Sequence, residues 1–128
     1  MNNQNQLKSV KILICAMGGE GGGVLMNWIV RAAWAKGYPV QATSVPGVAQ
    51  RTGATTYYIE MFPQSLSSAS PKPNFALIPT SGEVDLLIAT EAAEAARAVG
   101  NGFITPDRTH LIASTARAYL MPEKNGDG

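Results

Sequence analysis

The first structured stretch of the chain is the apolar run Val10–Ala16, which only Lys11 interrupts. Part of the run is β-branched, and it shows no alternation of polar and apolar residues. Such a run is typical of a strand that is covered on both faces, as in a central, largely parallel sheet. Because parallel strands need crossover connections, the run also predicts helices packed on the sheet.

The segment Val24–Lys36 has the apolar spacing of a helix, and Gly37 marks its end. We expect the two tryptophans of this segment, Trp28 and Trp34, to pack in the core rather than to serve as cofactor platforms. The stripe expected to face the sheet consists of Leu25, Trp28, Ile29, Ala32 and Ala35. Tyr38–Val45 follows as a second strand, so that the three segments form a βαβ unit.

The second half of the chain repeats strand and helix patterns. Ala54–Phe62 is rich in β-branched and aromatic residues, which predicts a strand with Tyr57 and Tyr58 on opposite faces. The remaining predicted elements are a short strand at Phe75–Pro79, a strand at Val84–Thr90, a helix at Glu91–Val99 and a strand at His110–Thr115. This order predicts a three-layer α/β/α, Rossmann-like domain with a largely parallel or mixed sheet.

Length and composition limit the classes of function. The chain has 128 residues, of which 45% are hydrophobic, and a formal net charge of +1. This length allows one domain at residues 11–120, between a frayed start at residues 1–10 and a tail at residues 121–128. Neither a basic patch with interleaved aromatics nor an apolar run of membrane-spanning length is present, so nucleic acid and membranes are not expected partners. The polar start lacks the pattern of a signal peptide, which predicts a cytoplasmic protein.

The residue inventory offers no complete catalytic set. The single cysteine, Cys15, excludes an internal disulfide framework and any multi-cysteine metal or iron–sulfur site in this chain. It is expected to be a small buried side chain. The single histidine, His110, has no cysteine or paired carboxylate near it in sequence, so we interpret it as a surface or strand-edge residue. We therefore expect no catalytic residue and no metal site within this chain alone.

A cluster of glycines joins the first strand to the first helix and is the first candidate site. It contains Gly18, Gly19, Gly21, Gly22 and Gly23. The free N–H groups and the dipole at a helix start attract an anion, so the cluster could hold a phosphate or another negatively charged group. The spacing matches neither GxGxxG nor a P-loop, and no acidic residue lies about 20 residues further on to hold a ribose. The alternative is that the glycines only make a tight strand-to-helix connection.

The second candidate is the loop Ser44–Gly53, which separates two predicted strands. Ligand crevices in open α/β sheets lie beyond the carboxyl ends of the strands, so this loop is expected near the glycines. Gln50, Arg51 and Thr52 supply its hydrogen-bonding side chains, and the arginine has five donors suited to carboxylate or phosphate. The alternative is that Arg51 pairs with a local carboxylate or caps a helix end.

Four motifs together resemble the gamma domain of 2-oxoacid:ferredoxin oxidoreductases. They are the strand-GGEGGG-helix opening, PGVAQRTGATTYY, VDLLIATEAAEA and ITPDRTHLIAST, and they cover nearly the whole chain from Lys11. In particular, the sequence is similar to the beta subunit of indolepyruvate ferredoxin oxidoreductase, which carries this domain. Compared with the family's usual turn, Glu20 replaces a glutamine. Family domains are also longer, which suggests an incomplete or truncated copy.

The resemblance implies a role in a multisubunit complex. Such enzymes oxidatively decarboxylate a 2-oxoacid on thiamine diphosphate, pass electrons through iron–sulfur clusters to ferredoxin and form an acyl-coenzyme A. Thiamine diphosphate and the clusters belong to the partner subunit, and coenzyme A is a co-substrate. In this chain Gly18, Gly19, Gly21 and Gly22 would offer backbone N–H groups, and Gln50, Arg51 and Thr52 would line the edge that closes over the partner's site. Two alternatives stay open: a stand-alone flavin or nucleotide binding module, and a scaffolding subunit.

Overall fold

The computed structural model describes residues 8–44, 53–65 and 73–115. These residues form the strands and helices β1 Val10–Met17, α1 Gly22–Ala35, β2 Val40–Ser44, β3 Ala54–Met61, β4 Leu86–Ala89, α2 Ala92–Gly100 and β5 His110–Ala113. All predicted helices and strands are present except the strand at Phe75–Pro79. No helix in the described part of the chain is long and apolar enough to cross a membrane.

The segment Phe75–Pro79 is not a strand because side chains satisfy its backbone. The N–H of Ala76 donates to the Glu60 carboxylate at 2.9 Å. The hydroxyl of Thr43 donates to the carbonyl of Leu77 at 3.0 Å, and the Gln41 amide donates to that of Ala76 at 3.4 Å. The segment is therefore held alongside the edge strand β2 without joining the sheet.

Within the described residues, the sheet has five strands in the order β2-β3-β1-β4-β5. β1 is parallel to β4, and β4 is parallel to β5. β3 lies between β1 and β2 and is antiparallel to both. Four strands therefore share one direction and β3 opposes them, which confirms a mixed sheet within a three-layer α/β/α fold.

The two faces of the sheet carry separate apolar clusters. On β1, Ile12 and Ile14 belong to the cluster under α1, whereas Leu13 belongs to the cluster that includes α2 residues. On β3, Tyr57 lies on the α1 side and Tyr58 on the α2 side. The prediction that these tyrosines occupy opposite faces is thus confirmed, and one helix covers each face.

The rotation of α1 differs from the prediction. Leu25, Met26 and Ile29 pack on the sheet, but Trp28 is 66% exposed and Trp34 is 65% exposed. The buried residues of the helix are Gly22 and Ala33. These two small residues let the helix approach the sheet closely and therefore set its rotation about its own axis. The tryptophans then lie about 120° around the helix from the side that faces the sheet. The expectation that both tryptophans pack in the core was wrong, as were the core positions assigned to Ala32 and Ala35, which are exposed.

Asp85 joins three parallel strands at their amino ends. Its Oδ2 accepts the N–H of Lys11 on β1 at 2.8 Å, and its Oδ1 accepts Nε of Arg108, just before β5, at 2.9 Å. Its own carbonyl accepts the N–H of His110 at 2.9 Å. This network aligns β1, β4 and β5, whose opposite ends form the candidate site.

Candidate functional site

Several loops meet at the edge of the sheet where the parallel strands end, which we call the carboxyl edge. Residues 18–23, the glycine turn, follow β1 at this edge, and Thr90 follows β4. Gly53 lies there too, because it precedes the antiparallel strand β3. The N–H of Gly18 donates to the carbonyl of Gly53 at 2.7 Å, and that of Thr90 donates to the carbonyl of Cys15 at 3.0 Å. The first bond joins the glycine turn to the segment that precedes β3, and the second joins β1 to the residue that follows β4.

The glycine turn leaves the start of α1 without a cap. Gly19 and Gly21 have φ angles of 84° and 82°, and a Cβ at either position would have open space around it. Gly21 is the N-cap residue, and neither a side-chain cap bond nor an acidic residue in the first turn is present. The first helical bond runs from Leu25 N–H to the Gly21 carbonyl at 2.9 Å. The N–H groups before Leu25 therefore have no intrahelical acceptor, and the positive end of the helix dipole lies beside the exposed Gly21.

Gly22 has a steric role in the same turn. A Cβ at this position would lie 2.7 Å from Cβ of Ala16 and 3.1 Å from Cε2 of Tyr57. The sequence predicts Tyr57 on one face of a strand, and its ring packs against the helix start. The turn therefore combines two features that the sequence left as alternatives: close packing at Gly22, and an uncapped helix start at Gly21.

Glu20 is the one carboxylate in the glycine turn, and its partners lie outside α1. Its Oε1 accepts the N–H of Met17 at 3.1 Å and the hydroxyl of Thr90. The Thr90 hydroxyl in turn accepts the same N–H at 3.4 Å. The carboxylate is thus engaged with the ends of β1 and β4 and does not cap the helix.

Thr90 was not among the residues selected from the sequence. The usable signal is its position, since it is the first polar residue after the apolar strand β4 and therefore lies at the carboxyl edge. Glu20 is 70 residues away in the chain, so only the parallel pairing of β1 with β4 brings the two side chains together.

Of the predicted site residues, Gly18, Gly19, Gly21 and Gly22 lie together in the glycine turn. The Gly18 N–H is used in the bond to Gly53. Gly19 and Gly21 are exposed, whereas Gly22 is buried against Ala16 and Tyr57. Gln50, Arg51 and Thr52 lie outside the described residues, and their placement stays a prediction. Both described flanks of their loop are at the carboxyl edge: Ser44, which ends β2 and pairs with Tyr57, and Gly53.

Behind the turn, Cys15 is buried as expected, being only 6% exposed. Burial, together with the nearby Glu94 carboxylate, raises the pKa of its thiol to about 11, although the hydroxyl of Thr56 acts in the opposite direction. The thiol is therefore neutral near pH 7 and is not an activated nucleophile. Within residues 8–44, 53–65 and 73–115, no group of three or more His, Cys, Asp or Glu side chains could hold a metal ion. The described part of the site has no side-chain set for covalent chemistry.

Comparisons with known proteins point to one family. Residues 11–126 match the family described as pyruvate ferredoxin/flavodoxin oxidoreductase. No curated protein matches the sequence.

Three solved structures with the same fold are similar to the chain. A 2-oxoglutarate:ferredoxin oxidoreductase from Magnetococcus marinus, solved with 2-oxoglutarate, coenzyme A and succinyl-CoA bound, matches with a TM-score of 0.62 at 17% identity over 93% of this chain. The pyruvate oxidoreductase subunit PORC from Thermotoga maritima matches with a TM-score of 0.55 at 17% identity over 88%. The gamma subunit of a keto/oxoacid ferredoxin oxidoreductase from Geobacter sulfurreducens matches with a TM-score of 0.52 at 14% identity over 81%. The matched part spans 18%, 53% and 60% of those chains, respectively.

Proposed function

Because the chain belongs to the pyruvate ferredoxin/flavodoxin oxidoreductase family, we propose that it serves as the gamma domain or subunit of a 2-oxoacid:ferredoxin oxidoreductase. The proposed reaction is the oxidative decarboxylation of an aryl 2-oxoacid, such as indolepyruvate, to an acyl-coenzyme A. The observation that carries this proposal is the uncapped start of α1 beside Gly53, at the carboxyl edge of the sheet. It offers an anion site to a partner while the described chain itself lacks a catalytic set.

The residues of the carboxyl edge have separate proposed tasks. Gly19, Gly21 and Gly22 offer N–H groups and the positive helix end to a phosphate of coenzyme A or to an acidic group of the partner. Gly18 holds Gly53 and thereby the end of the loop that carries Gln50, Arg51 and Thr52. These three side chains line the edge that closes over the partner's active site, where the arginine fork suits a carboxylate or phosphate.

The redox chemistry belongs to the partner. Thiamine diphosphate, when bound there, supplies the carbanion stabilisation that 2-oxoacid decarboxylation requires. A single cysteine cannot ligate an iron–sulfur cluster, which takes at least two thiolates, so the clusters proposed to pass electrons to ferredoxin lie outside this chain. The chain contributes by binding, by closing the site and by excluding water.

One observation from outside the structure supports this assignment. The Magnetococcus marinus protein, which shares the fold, was solved with coenzyme A and succinyl-CoA bound. The aryl substrate is proposed only from the resemblance of the sequence motifs to the indolepyruvate enzyme's beta subunit. A cytoplasmic location is proposed along with this function, with ferredoxin as the proposed electron acceptor.

The test is the substitution Arg51→Ala in the assembled enzyme, with Lys36→Ala as the control for loss of one cation. If Arg51 contacts substrate or coenzyme A, the alanine variant should lose at least about tenfold in kcat/KM, as expected for loss of one charge-assisted hydrogen bond. Its thermal midpoint should stay that of the wild type, and Lys36→Ala should keep full activity. A large drop in thermal stability with unchanged activity would instead assign Arg51 a structural role.

The uncapped helix start also suits the alternative of a stand-alone flavin or nucleotide binding module. In that case the isolated chain would bind such a ligand tightly. At a ligand concentration 100 times Kd, the free energy of unfolding would rise by about 2.7 kcal/mol, which a melting experiment detects. The scaffolding alternative predicts partner binding that is insensitive to Arg51→Ala.

A further inference from the structure

The side of α1 that faces away from the sheet carries an exposed apolar strip. We call it the α1 outer face, and it consists of Val24, Asn27, Trp28, Arg31 and Trp34. Trp28 is 66% exposed, Trp34 65% and Val24 53%. Arg31 lies in the middle of the strip, directly opposite the buried side of the helix, with a tryptophan on either side of it.

The two tryptophans account for most of the exposed apolar area of this face. The two indoles alone leave on the order of 300 Å² in contact with water, since a tryptophan side chain can bury up to ~250 Å². That value is comparable to the largest apolar patch on a typical monomer, ~300–600 Å², which is often functional. Tryptophan and arginine are also the residue types that most often dominate the binding energy of protein interfaces. The α1 outer face therefore has the composition of the centre of an interface.

The charge of the face indicates what kind of surface covers it. None of the 14 residues of α1 is acidic, and Arg31 forms no ion pair with the part of the chain that the structure describes. If two copies paired through this face, each Arg31 would be buried near the other without a carboxylate, which costs several kcal/mol in a desolvated contact. A matching surface must therefore be apolar and must supply a carboxylate for Arg31.

A lipid surface is a poorer match than a protein. Helices that lie on membranes carry many Lys and Arg residues on their polar face. The α1 outer face has a single arginine at its centre, and the opposite side of the helix is already buried against the sheet. A shaped protein surface with one acidic side chain satisfies both features.

The position of the face connects it to the candidate site. Val24 lies in the first turn of α1, directly after the glycine turn, and the helix extends about 21 Å from there over its 14 residues. We propose that the α1 outer face docks on an apolar, carboxylate-bearing surface of the thiamine- and iron–sulfur-carrying subunit, an inference that rests on the proposed function. Docking there places the glycine turn at the border of the same interface.

The test is co-expression with that subunit and isolation through a tag on this chain. The double variant Trp28→Ala/Trp34→Ala should recover at most about a tenth of the thiamine diphosphate per chain that the wild type recovers, the loss expected for an interface hot spot. The Arg31→Glu variant should show a similar reduction in recovered thiamine diphosphate, whereas Arg31→Lys should recover most of the wild-type amount. The control Val99→Ala, on the exposed side of α2, should recover as much as the wild type. Thermal midpoints should be unchanged in every variant, because these side chains are largely exposed.

The outcomes separate the docking proposal from the proposed function. If the wild type recovers the thiamine-carrying subunit and the double tryptophan variant recovers as much, the docking proposal is contradicted and the function stands. If the wild type recovers none, the function fails and the docking proposal with it. Tryptophan-dependent dimers in light scattering would overturn the docking proposal in favour of a second copy. Tryptophan-dependent binding to phosphatidylglycerol vesicles would overturn it in favour of a membrane surface.

Discussion

The substitution Gly22→Ala tests the packing that sets the rotation of α1. The added Cβ would lie 2.7 Å from Cβ of Ala16 and 3.1 Å from Cε2 of Tyr57. Neither neighbour is the end of a flexible chain, since Ala16 is 1% exposed on the central strand. The helix must therefore move away from the sheet, and overpacking of this kind costs ~1–3 kcal/mol.

Part of this cost is offset, because alanine is favoured over glycine in a helix by up to ~1 kcal/mol. With the full offset, the net loss expected for Gly22→Ala is about 0–2 kcal/mol in the free energy of unfolding. For 128 residues, 1 kcal/mol corresponds to ~4 °C in the thermal midpoint, so a decrease of up to ~8 °C is expected.

The matched control is Gly23→Ala, one residue further along the same helix. Its Cβ would be 3.4 Å from Oη of Tyr57, with no closer atom. The helix-propensity gain should dominate there, so the midpoint should stay the same or rise by up to ~4 °C. The double variant Ala16→Gly/Gly22→Ala removes the closest contact, so its loss should be smaller than the sum of the losses of the two single variants. Differential scanning calorimetry measures all three, and equal midpoints for the Gly22 and Gly23 variants would refute the close approach of α1.

Three further predictions concern the framework of the site. Thr90→Val removes the hydroxyl that donates to Glu20, so the free energy of unfolding measured in urea titrations should fall by ~1 kcal/mol. Thr90→Ser keeps the hydroxyl and should leave that free energy unchanged. An unchanged value for the valine variant would show that the hydrogen bond contributes nothing to stability. Asp85→Asn weakens the contact with Arg108, which helps to align the amino ends of three strands. We expect the free energy of unfolding to fall by ~1 kcal/mol, and by less in high salt because the ion pair is partly exposed. A loss that does not depend on salt would contradict the ionic part of the argument. Burial raises the pKa of the Cys15 thiol from 9.0 to about 11, so between these pH values the folded state keeps a proton that the unfolded chain releases. The neutral thiol therefore contributes fully to the free energy of unfolding below pH 9, and this contribution is lost as the pH rises toward 11. Urea titrations across that range should show a steeper decline for the wild type than for Cys15→Ala, and parallel curves would contradict the shifted pKa.

The elements of this fold could be predicted from local patterns, whereas the rotation of α1 could not. The continuous run of β1 and the alternation of β3 report burial directly, and both strands were expected where they occur. Trp28 and Trp34 are as apolar as core residues, so helical periodicity alone assigned Trp28 to the side of α1 that faces the sheet. The decisive signal is the small size of Gly22 and Ala33, and the effect of Gly22 depends on Ala16 and Tyr57 across the interface.

The candidate site shows the same limit. The glycine turn has a local signature, so its residues could be selected from the sequence. The partners of Glu20 could not, because Thr90 reaches it only through the pairing of β1 with β4, and that order is set by long-range packing. The place of β3 between β1 and β2 likewise follows from tertiary pairing and has no local signal.

The central claim is that this chain works as part of a 2-oxoacid:ferredoxin oxidoreductase. The most direct measurement is affinity isolation of the tagged chain from its native cells, followed by mass spectrometry, an absorbance scan and an assay of 2-oxoacid-dependent, coenzyme A-dependent ferredoxin reduction. The account predicts a partner subunit that carries thiamine diphosphate and iron–sulfur absorbance, together with that activity. Recovery of the chain alone with a bound flavin or nucleotide, and without activity toward any 2-oxoacid, would contradict it.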